Sequence, residues 1–381
     1  MGQSIDIYRE LQRHLDNMPV GFPATKSGVE LRILKRLFNT DEAEIVLNLS
    51  MFEEPIEKIY KRMKTPKISV EELKKTLDNL VDRGLIAGGE PFFYNGVQHY
   101  GKLQFVIGIY EGQLNKLTKE LVEDMEQYLE EGIAEELMSK AKTVQMRIIP
   151  VNKSIEKGQY DVASYDQIEE IIKNKKGQIA VMNCVCVEKE ELLGNHCKKS
   201  DIKERCFTFD IVAKYIIKYG IGRELTKDEA LTYLKKLEEI GLVFQAENVK
   251  DPLFMCCCCD CCCLPIQAAN RLPKFIPYSY TNFYASVDAE KCIGCGVCLN
   301  RCNMDAISII DNVATINLER CIGCGLCKTT CEAGAISLIK KKKETVPPED
   351  TIKLYRKILY ERFGPLGTMK ILAKKALRKK V

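Results

Sequence analysis

Cys292-Ile293-Gly294-Cys295-Gly296-Val297-Cys298, with Cys302 closing it, is the stretch from which the rest of the chain is read. It returns 29 positions later as Cys321-Ile322-Gly323-Cys324-Gly325-Leu326-Cys327, closed by Cys331. The spacing Cys-x2-Cys-x2-Cys-x3-Cys is written twice, and Ala306-Ile307-Ser308 comes back as Ala335-Ile336-Ser337. Residues 291–332 are an internal duplication.

Three thiolates two residues apart, on a loop that Gly294, Gly296, Gly323 and Gly325 allow to curl, reach three irons of one cubane. The fourth iron takes a more distant thiolate. In paired runs of this spacing the fourth cysteine ligates the other cluster. One cluster is therefore expected on Cys292, Cys295, Cys298 and Cys331, and the other on Cys302, Cys321, Cys324 and Cys327. The glycines also present N–H groups to cluster sulfur, a lever on reduction potential. Two four-thiolate zinc sites are the alternative, but zinc favours two separated Cys-x2-Cys knuckles.

On these motifs residues 285–340 resemble a bacterial two-[4Fe-4S] ferredoxin module. The resemblance implies two [4Fe-4S] clusters and the transfer of single electrons. In one respect the chain departs from that family: Asn303 and Glu332 stand where proline usually follows the fourth cysteine of each run.

With 381 residues, 46% of them hydrophobic, the chain can bury a sizeable core and is expected to divide into two or three domains. Nineteen cysteines without an apolar leader near Met1 read as metal ligands kept reduced in a cytoplasm, the expected location. No apolar run approaches the length needed to cross a bilayer. The net charge of +4 hides an asymmetry, because residues 340–381 carry fourteen Lys or Arg against four acids.

In the N-terminal third, residues 28–38, 41–50, 56–63 and 69–83 have helical apolar spacing, Ser69-x-x-Glu72 reads as a capping box, and Gly84 ends the last helix. The alternation from Leu85 to Tyr100 suggests a small β wing. This order resembles a winged helix-turn-helix domain, with residues 69–83 as its recognition helix. Lys74, Lys75 and Arg83 are matched there by Glu71, Glu72, Asp78 and Asp82, which argues against DNA contact and for a protein-docking scaffold. Residues 112–136 read as one more helix, with Leu114, Leu121, Met125 and Tyr128 inward and an acidic outer face that includes Glu120, Asp124, Glu131, Glu135 and Glu136.

The middle third reads as a strand over 145–151, a helix over 164–173 with a Ser164-x-x-Gln167 cap, and a strand over 178–182 running extended into Cys184 and Cys186. With Cys197 and Cys206 these make a candidate four-thiolate metal site. Helices are expected over 207–219 and 226–240, the second ending at Gly241 in a helix-glycine-strand junction that echoes Gly84. The run from Cys256 to Cys263 puts seven thiols in eight residues, and neighbours within it diverge, so they cannot all serve one cluster. Cys256, Cys258, Cys259 and Cys262 are its candidate ligands, and Cys261 and Cys263 belong to other arrangements. One or two further [4Fe-4S] clusters are expected here, with zinc as the alternative. The cysteine pattern resembles that of multi-cluster iron-sulfur proteins of strict anaerobes.

The expected fold is α+β: a mainly helical winged-helix-like domain over 1–110, an acidic helical linker over 111–142, a mixed Cys-rich domain over 143–264, the dicluster domain over 285–340, and a basic helical tail over 341–381 that folds back on the acidic helix, docks an acidic redox partner or lies on an anionic membrane. No nucleotide-binding loop, zinc-protease pair or isolated nucleophile with a base is present, so no catalytic residue is assigned. The reading is an electron-transfer protein that relays single electrons between a low-potential donor and a redox-enzyme partner. The alternatives are a redox-sensing winged-helix regulator and a cluster-bearing subunit of an oxidoreductase.

Overall fold

The computed structural model describes residues 6–63, 68–89, 97–133, 142–155, 162–271 and 279–377. Helices and strands are mixed, in keeping with an α+β class. The chain divides into two compact units, Met1–Lys142 with Tyr355–Val381, and Thr143–Leu354.

In the first unit helices Ile7–Asp16, Val29–Leu37 and Thr40–Val46 bury Leu11, Leu15, Ile33, Leu34 and Val46. Strand β1 (Glu54–Pro55) leads into helix Ile56–Arg62, helix Val70–Asp82 follows, and β2 (Ile86–Gly89) and β3 (His99–Lys102) complete an antiparallel sheet in the order β1-β3-β2. The capping box forms as expected. The Glu72 N–H donates to Ser69 Oγ at 3.2 Å and the Ser69 N–H to the Glu72 carboxylate at 2.7 Å. Gly84 has a φ of 72° and packs so closely on Gly112 that a Cβ there would meet backbone at 2.6 Å.

The helix expected over 112–136 starts later, at Lys119. Asn115 turns the chain with a φ of 63°, and Thr118 Oγ1 accepts the Leu121 N–H at 3.2 Å, so the first free donors of the helix are met there. Helix Lys119–Tyr128 then continues as a π turn over Leu129–Ile133. Asp124, assigned to the outer acidic face, is buried and accepts from Arg32 at 2.9 Å and Arg36 at 2.7 Å. Residues 134–136, with Glu135 and Glu136, and the wing tip over 90–96 lie outside the described residues. In helix Thr351–Ala376 the chain kinks at Gly364 before Pro365, which separates two helical pieces. The first piece is anchored by Tyr355, whose hydroxyl accepts from Gln104 at 2.8 Å, and by Arg362, which pairs with Asp16 at 2.9 Å.

The second unit is built on a sheet of β4 (Met146–Ile149), β5 (Ile179–Asn183), β6 (Glu204–Phe209), β7 (Gly222–Leu225), β8 (Val243–Glu247), β9 (Phe254–Cys258) and β10 (Ser279–Tyr280), in the order β10-β4-β8-β9-β6-β5-β7. All pairs are antiparallel except β10 on β4. Every residue of β8 is buried, as a central strand covered on both faces requires. The Gly241 junction therefore feeds the middle of this sheet.

Three local expectations fail here. The Ser164 cap does not form: a short 3₁₀ turn over Ser164–Asp166 precedes helix Ile168–Asn174, and the Gln167 amide donates to the Val162 carbonyl. Residues 207–209 are strand, because Phe207, Thr208 and Phe209 are all buried between β5 and β9, and the helix begins only at Asp210. Cys184 and Cys186 do not share one extended run, since Cys184 is the last extended residue, at the N-terminal boundary of helix Val185–Leu192, and Cys186 lies in the helix's first turn.

The duplicated module follows. Its strands are β11 (Phe283–Val287), β12 (Ile307–Ile310), β13 (Val313–Ile316) and β14 (Ile336–Lys340), and its short helices are Val297–Arg301 and Leu326–Thr329. β11 pairs with β14 and β12 with β13, both antiparallel. Each pairing joins one copy to the other, so neither copy has a sheet of its own.

Candidate iron-sulfur centres

The two cysteine loops are alike in conformation. Gly294 and Gly323 have φ of 66° and 62°, and Gly296 and Gly325 have 75° and 80°. At Gly294 a Cβ would meet Asn312 at 2.2 Å, and at Gly323 it would meet Phe283 at 2.2 Å, so each loop closes on the other copy. The N–H groups that reach sulfur cross over as well. Ala314 donates to Cys292 Sγ at 3.3 Å, and Ala285 donates to Cys321 Sγ at 3.4 Å.

A small cavity open to solvent is lined by Cys292, Cys295, Cys298 and Cys331. Its fourth cysteine comes from the second copy. Electrostatics sort the thiols in the same way. Burial first, then the fields of Cys295, Cys292 and Cys331, push the Cys298 thiol up. Burial, then Cys302 and Cys321, push Cys324 up to about 12. Cys327 is raised by burial, then by Cys324, Cys321 and Cys302 of its own set, and least by Cys298 of the other. Four thiolates crowded this way coexist only around a cation, which is the charge a cluster's irons supply. The donor set fits [4Fe-4S] clusters.

The two positions that depart from the ferredoxin pattern have different surroundings. Glu332 is exposed, whereas Asn303 is 1% exposed and joins the module to the turns that precede β8 and follow β9. Asn303 Nδ2 donates to the Gly241 carbonyl at 3.0 Å, its Oδ1 accepts the Asp260 N–H at 3.1 Å, and its carbonyl accepts from Asn270 at 3.0 Å. Asn303→Ala would take their side-chain partner from the buried Gly241 carbonyl and the partly buried Asp260 N–H. It is expected to cost about 1–3 kcal/mol in a urea titration while leaving the iron content unchanged.

The middle cysteines fall into three sets of contacts. Cys184 and Cys186 interact with each other, Cys206 on β6 faces Cys256 on β9 in register, Cys256 also interacts with Cys258, and Cys258 interacts with Cys263. Cys257 alternates to the other face of β9 and is buried. Cys197 leaves the set in which the sequence grouped it with Cys184, Cys186 and Cys206. It joins Cys259, Cys261 and Cys262, and the four sulfurs lie within 4.8 Å of one another. Cys261, passed over in the selected ligand set, is central: its Sγ is 3.6 Å from Cys197, 3.5 Å from Cys259 and 3.8 Å from Cys262. The signal that could have found it is Asp260, a turn residue that ends the strand and redirects the thiols after it.

Arg205, which the sequence did not single out, is 1% exposed beside this quartet. Its Nη1 donates to Cys259 Sγ at 3.3 Å and its Nη2 to Cys197 Sγ at 3.2 Å, and the Ile202 and Ser200 carbonyls accept from it at 2.6 and 2.7 Å. Burial works against its charge, but the bond to Cys197 and the fields of Cys259, Cys197 and Cys184 outweigh it and hold the guanidinium's pKa above its ordinary value. The Cys197 thiol is held down by hydrogen bonds with Cys259, Cys261 and Cys262.

Among the described residues no helix is long and apolar enough to cross a membrane. No curated protein and no solved structure matches the chain. Residues 291–335 match the family model of a 4Fe-4S dicluster domain, a span that holds all eight cysteines of the duplicated runs.

Proposed function

We propose that this protein relays single electrons between a low-potential donor and a redox-enzyme partner in an anaerobe. The observation that carries the reading is the grouping of the eight module cysteines into two crossed sets of four inside a matched dicluster domain. Cys292, Cys295, Cys298 and Cys331 would hold one [4Fe-4S] cluster, and Cys302, Cys321, Cys324 and Cys327 the other. Such clusters supply a store for single electrons. The chain's own residues bind them, shield them and direct N–H groups at their thiolates.

The two copies differ in access. Ile293 and Val297 on the first loop are 66% and 46% exposed, while the equivalent Ile322 and Leu326 are 5% and 0% exposed. The first loop is thus the side on which a redox partner would approach, and the second is the buried station of the relay. The basic tail suits an acidic partner, with charge steering acting more on encounter rate than on affinity.

The N-terminal unit fits the reading as a winged-helix-like docking scaffold. On helix Val70–Asp82, Lys74 pairs with Asp78 at 2.6 Å and Lys75 with Glu71 at 3.7 Å, and Arg83 pairs with Glu42 at 2.6 Å. Cations engaged in this way have little to offer a phosphate backbone, which favours the relay over the DNA-binding regulator.

The test is a dithionite titration of anaerobically purified protein. It is expected to take up about two electrons per chain into the module in one-electron steps, with bleaching of the visible absorbance, and to return them to oxidised methyl viologen. Iron-loaded protein that accepts no electrons would sink the reading.

A further inference from the structure

We propose that Cys197, Cys259, Cys261 and Cys262 hold a single zinc ion in a tetrahedral four-thiolate site, separate from the iron-sulfur clusters. The argument starts from sulfur separations. Four sulfurs around one zinc at about 2.3 Å lie about 3.8 Å from one another at the corners of a tetrahedron. The measured separations are 3.8 Å for Cys197–Cys259, 3.6 Å for Cys197–Cys261, 3.5 Å for Cys259–Cys261 and 3.8 Å for Cys261–Cys262. Cubane thiolates bind four different irons, project outward from the corners, and must stand much farther apart. The eight module cysteines supply the internal contrast, because none of them belongs to the set that converges within 4.8 Å among the described residues.

Arg205 is the second, independent observation. Its guanidinium stays protonated at any ordinary pH, and a buried charge needs a counter-charge. Among the described residues no carboxylate lies within ion-pair reach of it, and its charged partners are the sulfurs of Cys197 and Cys259. A zinc ion with four thiolates carries two net negative charges, and Arg205 offsets one of them. The same hydrogen bonds orient two of the ligands, as outer partners of metal sites do. Neutral thiols would leave the buried cation with the Ile202 and Ser200 carbonyls as acceptors but with no counter-charge.

Four protein ligands leave no open position, so the site is structural. It ties the end of β9, through the turn at Asp260, to the loop that bears Cys197. The N–H of Asp260, between ligands Cys259 and Cys261, is the group that Asn303 accepts from. Zinc would therefore stiffen the surface on which the dicluster domain sits. The remaining middle thiols, Cys184, Cys186, Cys206, Cys256, Cys258 and Cys263, stay available to a further cluster.

The experiment is X-ray absorption at the zinc and iron edges of the same anaerobically purified full-length sample, with metal counts. The expected result is one zinc per chain in a shell of four sulfurs at about 2.3 Å. Cys261→Ser and Arg205→Met should lose zinc, and Cys257→Ser should keep it. The zinc edge of the unaltered protein decides the matter even if a variant fails to fold. Absence of zinc, a shell containing nitrogen or oxygen, or a mononuclear ferric signal that disappears in Cys261→Ser would overturn the assignment. The iron edge reports on the dicluster domain separately, so this proposal and the electron-transfer reading can fail independently.

Discussion

Cys331→Ser is expected to abolish the cluster that includes Cys292, Cys295 and Cys298, while the cluster on Cys302, Cys321, Cys324 and Cys327 survives. The effect is counter-intuitive in sequence, because the lost ligand lies four positions after Cys327 and more than thirty after Cys298. It follows from the fold. β11 pairs with β14 and β12 with β13, so the end of each copy is delivered to the start of the other, and Cys331 lines the cavity of the first three cysteines. Cys302→Ser should do the reciprocal damage. Site-resolved EPR of the reduced variants, with circular dichroism to establish that each is folded, reads the outcome. Equal loss of both signals from folded Cys331→Ser protein would count against the crossing.

The second large effect involves no thiol. Arg147 on β4 and Asp166 are each 1% exposed and form an ion pair, with the Tyr165 ring 4.9 Å from the guanidinium. Asp166 also accepts from Asn282 Nδ2 at 2.8 Å, and Asn282 directly precedes β11, so one carboxylate links the large sheet to the entry of the dicluster module. Asp166→Ala leaves a buried cation without its counter-charge and is expected to cost about 3–5 kcal/mol. That is a large share of the ~5–15 kcal/mol that holds a typical domain together. Arg147→Met combined with Asp166→Ala removes both charges and should recover part of the loss, since no buried charge is left stranded. Denaturant titrations of the single and double variants test this. A double variant no more stable than Asp166→Ala would mean that lost packing, and not the stranded charge, sets the cost.

Local chemistry in this chain was legible from local residues. Ser69 with Glu72 and Thr226 with Glu229 form capping boxes because each box needs only a hydroxyl and a carboxylate three positions apart. Gly84 and Gly241 end their helices at φ of 72° and 97°, and the Leu85 and Leu242 N–H groups return to Leu80 and Leu237 at 2.9 and 3.1 Å. Ser164 with Gln167 has similar spacing, yet no box forms, because the glutamine amide finds the Val162 carbonyl instead. Residues 207–209 went to a strand for a related reason. Their partners on β5 and β9 lie far along the chain, and burial between those strands outweighs an apolar pattern that also suits a helix.

What the sequence determined by itself is the dicluster module, because duplication at a fixed 29-residue interval records both the eight cysteines and their symmetry. Only the tertiary structure decided how the other eleven thiols group. Cys206 meets Cys256 through the register of β6 on β9, and Cys197 meets Cys259, Cys261 and Cys262 across more than sixty residues through a turn at Asp260. Sheet order and the pairing of distant segments are set by the packing of whole strands, and apart from the turn signal of Asp260 a cysteine's immediate neighbours carry no record of them. The same holds for Arg205 and Asn303, whose side chains have their meaning only where distant segments bring buried sulfurs, a carbonyl and an N–H within hydrogen-bonding reach.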